Sequence, residues 1–439
     1  MAIWSKTSAA TPDDWVVRFT VGDDWRWDTL LLPYDCVGSE AHAWALAEIG
    51  VMTADEHRQV AEALDAIKAE AEAGTLIVRV EDEDCHTVLE RELTARLGDA
   101  GKKIHAGRSR NDQVLVALRL WLRDALAAVA EQAAAVTEAL LNHGDTYADA
   151  LMPGYTHLQR AMPTTAGLWA ASYAELLVAD LRTLTEARAA TNVSPWGSAA
   201  GYGVPRLDLP REGVAERLGF GGGLEGMQVH TPAVQLSRGK LDAQVVHALV
   251  QLGATANRLA SDLVLFATAE FGFVTLPEAH TTGSSIMPQK RNPDVLELAR
   301  ATYHRLTAEL HLLLTLPANL PGGYHRDLQL TKEATMRATL LSLDLFAALA
   351  AGLPALTFDR DRMRAALSPE LFATDEALAD VQRGVPFRNA YRAVAGRLDA
   401  LSTPPDAEAL AAYATPGTPG HVVTAPLRAA LADLAARFE

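Results

Sequence analysis

The chain has 439 residues, a net charge of −16 from 39 Lys plus Arg against 55 Asp plus Glu, and 49% hydrophobic residues. That length exceeds what one core usually organises and predicts two or three domains, while the composition excludes global disorder. The acidic balance repels phosphate backbones and disfavours general nucleic-acid binding, so an anionic substrate would need a locally positive pocket.

From the amino terminus, MAIWSKTSAATPDDW lacks a cationic start followed by an apolar core, and no signal peptide is expected. Shorter helices are predicted over 38–49, 54–73 and 84–97. Cys36 and Cys85 match no zinc spacing and no disulfide framework, which suits a reducing cytoplasm. From 111 to about 144, Val114, Leu118, Trp121, Leu122 and Leu126 recur at threes and fours, the spacing of a helix. The same period runs through 165–190, 233–269, 294–316 and 328–353, giving five long helices separated by Gly and Pro clusters. Two of these clusters are SPWGSAAGYGVP (194–205) and LPANLPGGYHRD (316–327).

The third stretch, if continuous, is roughly 37 residues and about 55 Å long. It is apolar around much of its circumference through Leu241, Val245, Leu249, Leu252 and Leu259. Such a helix needs partners on more than one side, and neighbouring subunits could supply them; the alternative is one self-contained bundle. Asp124, Asp180 and Asp262 interrupt the most apolar helices, so no membrane-spanning run is expected. FGGGLEG (220–226) is read as a loop, and a smaller helical region follows 358, punctuated by GVPF (384–387) and TPGTPG (415–420). The expected organisation is all-α, with domains at 1–107, 108–357 and 358–439.

Polar islands stand at the junctions between helices: EDEDCH (81–86), HAGRSRNDQ (105–113), GYTHLQRAMPTT (154–165), GSSIMPQKRNPD (283–294) and GYHRDLQLTKE (323–333). There, side chains and free helix-terminal groups can converge on a ligand. Ser109 or Asn111 can cap the helix that follows, and its free N–H groups with Arg108 and Arg110 would form an anion site. The plainer reading pairs those arginines with surface acids. His157, with Thr156 and Gln159, sits in a polar cluster at the expected start of a helix, as an acid/base group or as a neutral histidine satisfied inside a bundle.

In GSSIMPQKRNPD, Asn292 is read as N-cap, Pro293 as the first helical residue and Asp294 as a first-turn acid. Gly283 gives the preceding loop freedom to move. Lys290 and Asn292 beside a helix N-terminus suit a carboxylate whose charge grows during reaction. Ser284 could remove a proton only if its alkoxide were stabilised by such positive groups. The plain alternative for the stretch is a solvated turn. His86, His105, His157 and His325 are dispersed, with no HExxH or CxxC, and the P-loop, G-x-S-x-G and dinucleotide fingerprints are absent. Metal-free, cofactor-free chemistry is the expectation.

Together and in this order, the islands resemble the fumarase/aspartase superfamily, with GSSIMPQKRNPD close to its signature loop. HAGRSRNDQ, GYTHLQRAMPTT and YHRDLQLTKE narrow the likeness to the argininosuccinate lyases, over a span from YDCVGSEAHA (34–43) to ATDEALADVQRGVPFRNAY (373–391). The resemblance implies a three-domain helical subunit whose five central helices join those of three partners in a twenty-helix homotetramer core. Each active site would be assembled from three subunits. It implies cofactor-free anti elimination of argininosuccinate to arginine and fumarate, in cytoplasmic arginine biosynthesis, with no nucleic-acid or membrane partner.

By the same resemblance, Ser284 takes the Cβ proton, and Lys290 and Asn292 stabilise the aci-carboxylate that results. His157, paired with Glu297, protonates the leaving nitrogen or only positions the substrate. Thr156, Asn111 and Ser285 contact the fumarate carboxylates, and Tyr324, Gln329 and Lys332 hold the arginine portion. Asp84 and His86 match an EDxH element that shapes the pocket, and Asp28 fits an acidic position.

The chain departs from the pattern in places. GGRF and NAS elements are replaced by VGDDWRWD (21–28), which puts Asp24 where a substrate-binding Ser often lies; Ala106 replaces a Thr and Arg291 a Lys. A carboxylate at Asp24 repels a substrate carboxylate but suits an amino or guanidinium group. The implied alternatives are a lyase of the same mechanism on another N-substituted aspartate, such as adenylosuccinate or a diamine-linked succinate, and a non-catalytic structural protein that keeps the scaffold.

Overall fold

Helix follows helix along the chain. The computed structural model describes residues 13–438, so most of MAIWSKTSAATPDDW, on which the expectation of no signal peptide rests, lies outside the described residues. The first part holds α1 (Asp14–Val21), α2 (Asp24–Glu48), α3 (Ala54–Glu72) and α4 (Cys85–Leu97). Five long helices follow: α5 (Arg110–Thr146), α6 (Ala166–Thr191), α7 (Lys240–Phe266), α8 (Asp294–Thr315) and α9 (Leu330–Gly352), with shorter helices between and after them.

Three differences from the sequence reading have physical causes. First, α2 begins at Asp24 rather than near 38 and carries Pro33 inside it. An interior proline costs about 3 kcal/mol, but Leu31, Leu32, Asp35, Cys36, Ser39 and His42 are all buried along this helix and their packing outweighs the lost hydrogen bond.

Second, the stretch 233–269 is not continuous. A short helix, Thr231–Leu236, ends and α7 starts at Lys240, because Gly239 adopts φ +77°, which a glycine reaches without strain. The Gly239 N–H then donates to Asp242 Oδ2 at 2.7 Å. The 37-residue helix is α5 instead. Val245, Leu249, Leu252 and Leu259 of α7 are fully buried within this one chain, so they do not call for a second copy.

Third, GYTHLQRAMPTT lies in a hairpin of β1 (Leu151–Thr156) and β2 (Gln159–Thr165), and the helix starts only at Ala166. Gly154 sits at the bulge, where an added Cβ would stand 2.8 Å from the Met162 carbonyl oxygen. Two more strands, β3 (Thr282–Gly283) and β4 (Arg291–Asn292), pair at the base of the loop 284–290.

The chain divides into two compact units, and the division falls inside each of the five long helices. One unit comprises 1–127, 186–249 and 307–340. Its core packs Ala41 and Ala45 of α2 against Val116 and Leu120 of α5, with Trp196, Leu218 and Phe220. Gly38 lets these helices approach, since a Cβ there would lie 2.9 Å from Val116 Cγ1.

The other unit comprises 128–185, 250–306 and 341–439. Trp169 stacks edge-on against Tyr173 and Phe358, and both Trp169 Nε1 (2.9 Å) and the Tyr173 hydroxyl (2.8 Å) donate to Asp262. Aromatic pairs of this kind contribute about 0.5–1.5 kcal/mol each beyond buried area.

The sequence suggested no membrane-spanning run, yet by length and composition one segment of the described residues, Arg326–Ala355, could cross a membrane. Its Lys332, Thr335, Thr339 and Ser342 are buried, and Lys332 is ion-paired inside its own unit. Those features fit a bundle helix rather than a lipid-facing one.

Candidate active site

A cavity of about 140 Å³ in the first unit gathers Asp28, Asp84, Asn111, Tyr324, Gln329 and Lys332, all named from sequence. Asp24, His86, Arg110 and Arg238 also line it. Asp24 and Asp28 stand one turn apart on α2 and so present their carboxylates on one face. Lys332, at the start of α9 and only 3% exposed, bridges the two, with Nζ 2.9 Å from Asp24 Oδ2 and bonded to Asp28 Oδ1. The other Asp28 oxygen accepts the Cys85 N–H at 3.1 Å, at the N-terminus of α4. Burial alone would lower the Lys332 ammonium, but Asp28 and Asp24 outweigh it and hold the proton more tightly than usual. Burial pushes the Asp24 carboxyl up to about 6 in spite of Lys332.

The anion site read into GRSRND does not form as expected. Ser109 caps α5, its Oγ accepting the Asn111 N–H at 3.3 Å while Asp112 Oδ1 accepts the Ser109 N–H at 3.0 Å. Arg108 is turned onto Ser39 at 2.8 Å, and Arg110 pairs with Asp84 at 2.8 Å and Glu83 at 3.2 Å. Arg110 is thus paired with acids, as the plainer reading has it, whereas Arg108 bonds a buried hydroxyl and keeps its Nε without a partner among the described residues. Asp84 also caps α4, accepting the Thr87 N–H at 2.8 Å.

The residue missed in the sequence is Arg238. It is 6% exposed and lies over the Tyr324 ring at 5.1 Å, and its Nε and Nη1 have no hydrogen-bond partner among the described residues. A buried guanidinium with unmet donors is a receptor for an anion. Its signal was an Arg-Gly pair inside an apolar helical stretch, overlooked because the stretch was read as continuous.

From the cavity wall, His86 Nδ1 reaches Asp35 Oδ2 at 2.8 Å, and Gln113 Nε2 donates to Asp35 Oδ1 at 2.9 Å. Burial opposes both charges, but the pair prevails: Asp35 is held below the usual carboxylate value and His86 above the usual imidazole value. Asp35, Cys85 and His86 are close enough to offer a metal three ligand atoms, a proximity that histidine spacing alone did not reveal. Asp35 is already satisfied by two donors, however, and burial pushes the Cys85 thiol well up, away from the thiolate that binds metals.

The remaining residues, Thr156, His157, Ser284, Ser285, Lys290, Asn292 and Glu297, belong to the second unit, and none lines this cavity. His157 and Leu158 form the two-residue turn of the β1–β2 hairpin, with φ 53° and 58°. Positive φ at both centres is the turn type whose twist matches the strands, and it is strained for non-glycine residues. The tip from Thr156 to Arg160 is exposed. His157 therefore stands at a hairpin tip and not at a helix start, and it forms no ion pair or hydrogen bond with Glu297 among the described residues.

In the loop 284–290, Ser284 Oγ accepts the Met287 N–H at 3.1 Å and the Ile286 N–H at 3.4 Å. Lys290 is exposed beside it. The Pro293 carbonyl receives the Glu297 N–H at 3.1 Å, so the cap position of α8 falls on Pro293. Asn292 is paired in β4, opposite Thr282 of β3. Arg291 ion-pairs with Glu278 at 2.6 Å.

Residues 16–307 match the family model described as "Lyase". A curated relative from Sorangium cellulosum named argininosuccinate lyase is 47% identical over 100% of this chain and 98% of its own length. One from Stenotrophomonas maltophilia (strain R551-3), of the same name, is 42% identical over 97% and 98%. Among solved structures, an EDDS lyase superposes with a TM-score of 0.76 at 22% identity, covering 98% of this chain and 91% of that one. A class II fumarase from Schistosoma mansoni gives 0.72 at 14%, covering 88% and 93%. At these identities the structures speak for the fold alone, an all-α multi-domain lyase fold.

Proposed function

The chain belongs to the lyase family, among the argininosuccinate lyases, and from that premise we propose that it splits argininosuccinate into arginine and fumarate by β-elimination. It is a carbon–nitrogen lyase of arginine biosynthesis. The observation that carries the chemistry is the seat of Ser284: two backbone N–H groups already point at its Oγ, where an alkoxide's charge would sit.

In the reaction, the Ser284 alkoxide takes the proton from Cβ. The C–H electron pair flows into the adjacent carboxylate, and Lys290 and Asn292 hold the dianion that forms. The pair then returns to make the double bond of fumarate as the Cα–N bond breaks, and the leaving nitrogen takes up a proton. His157, with Glu297, delivers that proton or orients the substrate. Thr156, Asn111 and Ser285 hold the fumarate carboxylates. The cavity of Tyr324, Gln329 and Lys332 receives the arginine portion, with Asp28 and Asp84 shaping it and the open donors of Arg238 offered to an anionic group.

The subunit we propose keeps the division at 107/108 and 357/358 and works in the cytoplasm as a homotetramer with sites shared among subunits. Exposed Val295, Leu298, Leu312 and Leu314 on α8, with Leu158 at the hairpin tip, are the apolar surface that other copies would cover.

Purified protein with argininosuccinate should release fumarate, read as rising ultraviolet absorbance. Ser284→Ala should lower kcat by about 10³-fold or more without unfolding the protein. A well-folded wild-type sample that yields no fumarate, or an alanine variant with full turnover, overturns the assignment. The kcat/KM for argininosuccinate should also exceed that for adenylosuccinate and for diamine-linked succinates.

A further inference from the structure

Lys332 is held by two carboxylates at once, and the two are not equivalent. Asp28 is 0% exposed and both its oxygens are occupied, one by Lys332 and the other by the Cys85 N–H. The Asp24 side chain is 16% exposed and lines the cavity, and only its Oδ2 is engaged, by Lys332 at 2.9 Å. Two carboxylates around one ammonium leave this corner with a net negative charge. A corner with that sign and an open carboxylate oxygen favours a cation. The nearby Arg238 presents the complement, a buried guanidinium with two unmet donors. Together the two ends fit the ammonium and the carboxylate of an α-amino acid.

We propose that Asp24 is a specificity-determining residue that binds the α-ammonium of the substrate's arginyl end, so that Lys332 serves as a fixed bridge between carboxylates rather than as the receptor for that end. The inference rests on the reading that this cavity holds the arginine portion. It reassigns the discrimination within that portion to a residue outside the matching motifs.

The charge state of Asp24 gives a second handle. Lys332, Asp28 and Asp84 act on it directly, and Glu83, Arg110, Arg326, Arg238 and the titratable His86 complete the charged wall of the cavity. Asp24 ionises at about 6, so its grip on an ammonium strengthens as pH rises through that value.

Calorimetric binding separates this idea from the reaction itself. The probes are L-arginine and 5-guanidinopentanoate, the same molecule without its α-amino group. Wild-type protein should prefer L-arginine by about 10- to 100-fold, the range a charged hydrogen bond supplies. Asp24→Asn should bring the two ligands to near parity with little change for 5-guanidinopentanoate, while Asp24→Glu keeps part of the preference. The wild-type preference should shrink below pH 6 and that of Asp24→Asn should not.

Equal binding of the two ligands by the wild type, or binding of neither, overturns the proposal, and so does an unaltered preference in Asp24→Asn. Should the asparagine variant fail to fold, Asp24→Ser and the wild-type pH series decide in the same way. Fumarate release by the wild type is scored separately, so the selectivity and the reaction can fail independently.

Discussion

His86 and Asp35 form a charge pair inside the protein, at 5% and 1% exposure, and the sign of their titration follows from that pairing. His86 is raised above 6.5, so its contribution to stability is complete below that value and is lost as pH rises through its folded value. Asp35 is lowered below 3.8, so its contribution is present above that value and is lost as pH falls through its folded value. Stability should therefore form a plateau between the two flanks. Asp35→Asn should cost about 3 kcal/mol near neutrality, since it breaks a buried pair. It should also flatten the decline above 6.5, as urea unfolding midpoints over a pH series will register. A variant that keeps the wild-type slope would move the titration to another group.

At the scale of elements, ends and breaks do more for the site than the middles of helices. Ser109 satisfies an orphan N–H at the start of the 37-residue α5 and so fixes where Asn111 meets the cavity. Ser109→Ala should cost about 1 kcal/mol in thermal or urea unfolding, the usual worth of such a cap. A loss much below that would mean that Asp112 alone holds the end, through the Gly197 and Ala199 N–H groups it accepts at 3.1 and 2.8 Å. Arg238 likewise lines the cavity from the break at Gly239, between the short helix Thr231–Leu236 and α7.

For the whole molecule, the cavity with its ionic clamp belongs to one unit, and Ser284 and His157, proposed above as base and acid, belong to the other. The shared-site homotetramer proposed above turns that division into a test. Ser284→Ala and Arg238→Ala should each be inactive alone. Mixed after dissociation and allowed to reassemble, they should regain activity, because some sites then draw each intact residue from a different subunit. Mixed tetramers that form and stay inactive at every ratio would defeat shared assembly.

Periodicity, local and one-dimensional, was enough for the five long helices, and the order of the polar islands was enough for the lyase assignment that the relatives bear out. Tyr324, Gln329 and Lys332 were legible as a group because they lie close together in sequence and line one cavity. What stayed hidden depended on distance along the chain. The pairing of Lys332 with Asp24 and Asp28 links residues about 300 positions apart, and the Asp35–His86 charge pair joins α2 to α4. The strained turn at His157 is set by positive φ angles at two non-glycine residues, which no side-chain pattern encodes, and the break at Gly239 had only a single glycine to mark it. The sequence by itself determined which chemical groups the protein carries and the helices that bear them. Only the tertiary structure decided which charges meet out of water, because desolvation and Coulomb energy depend on proximity in space and not in sequence.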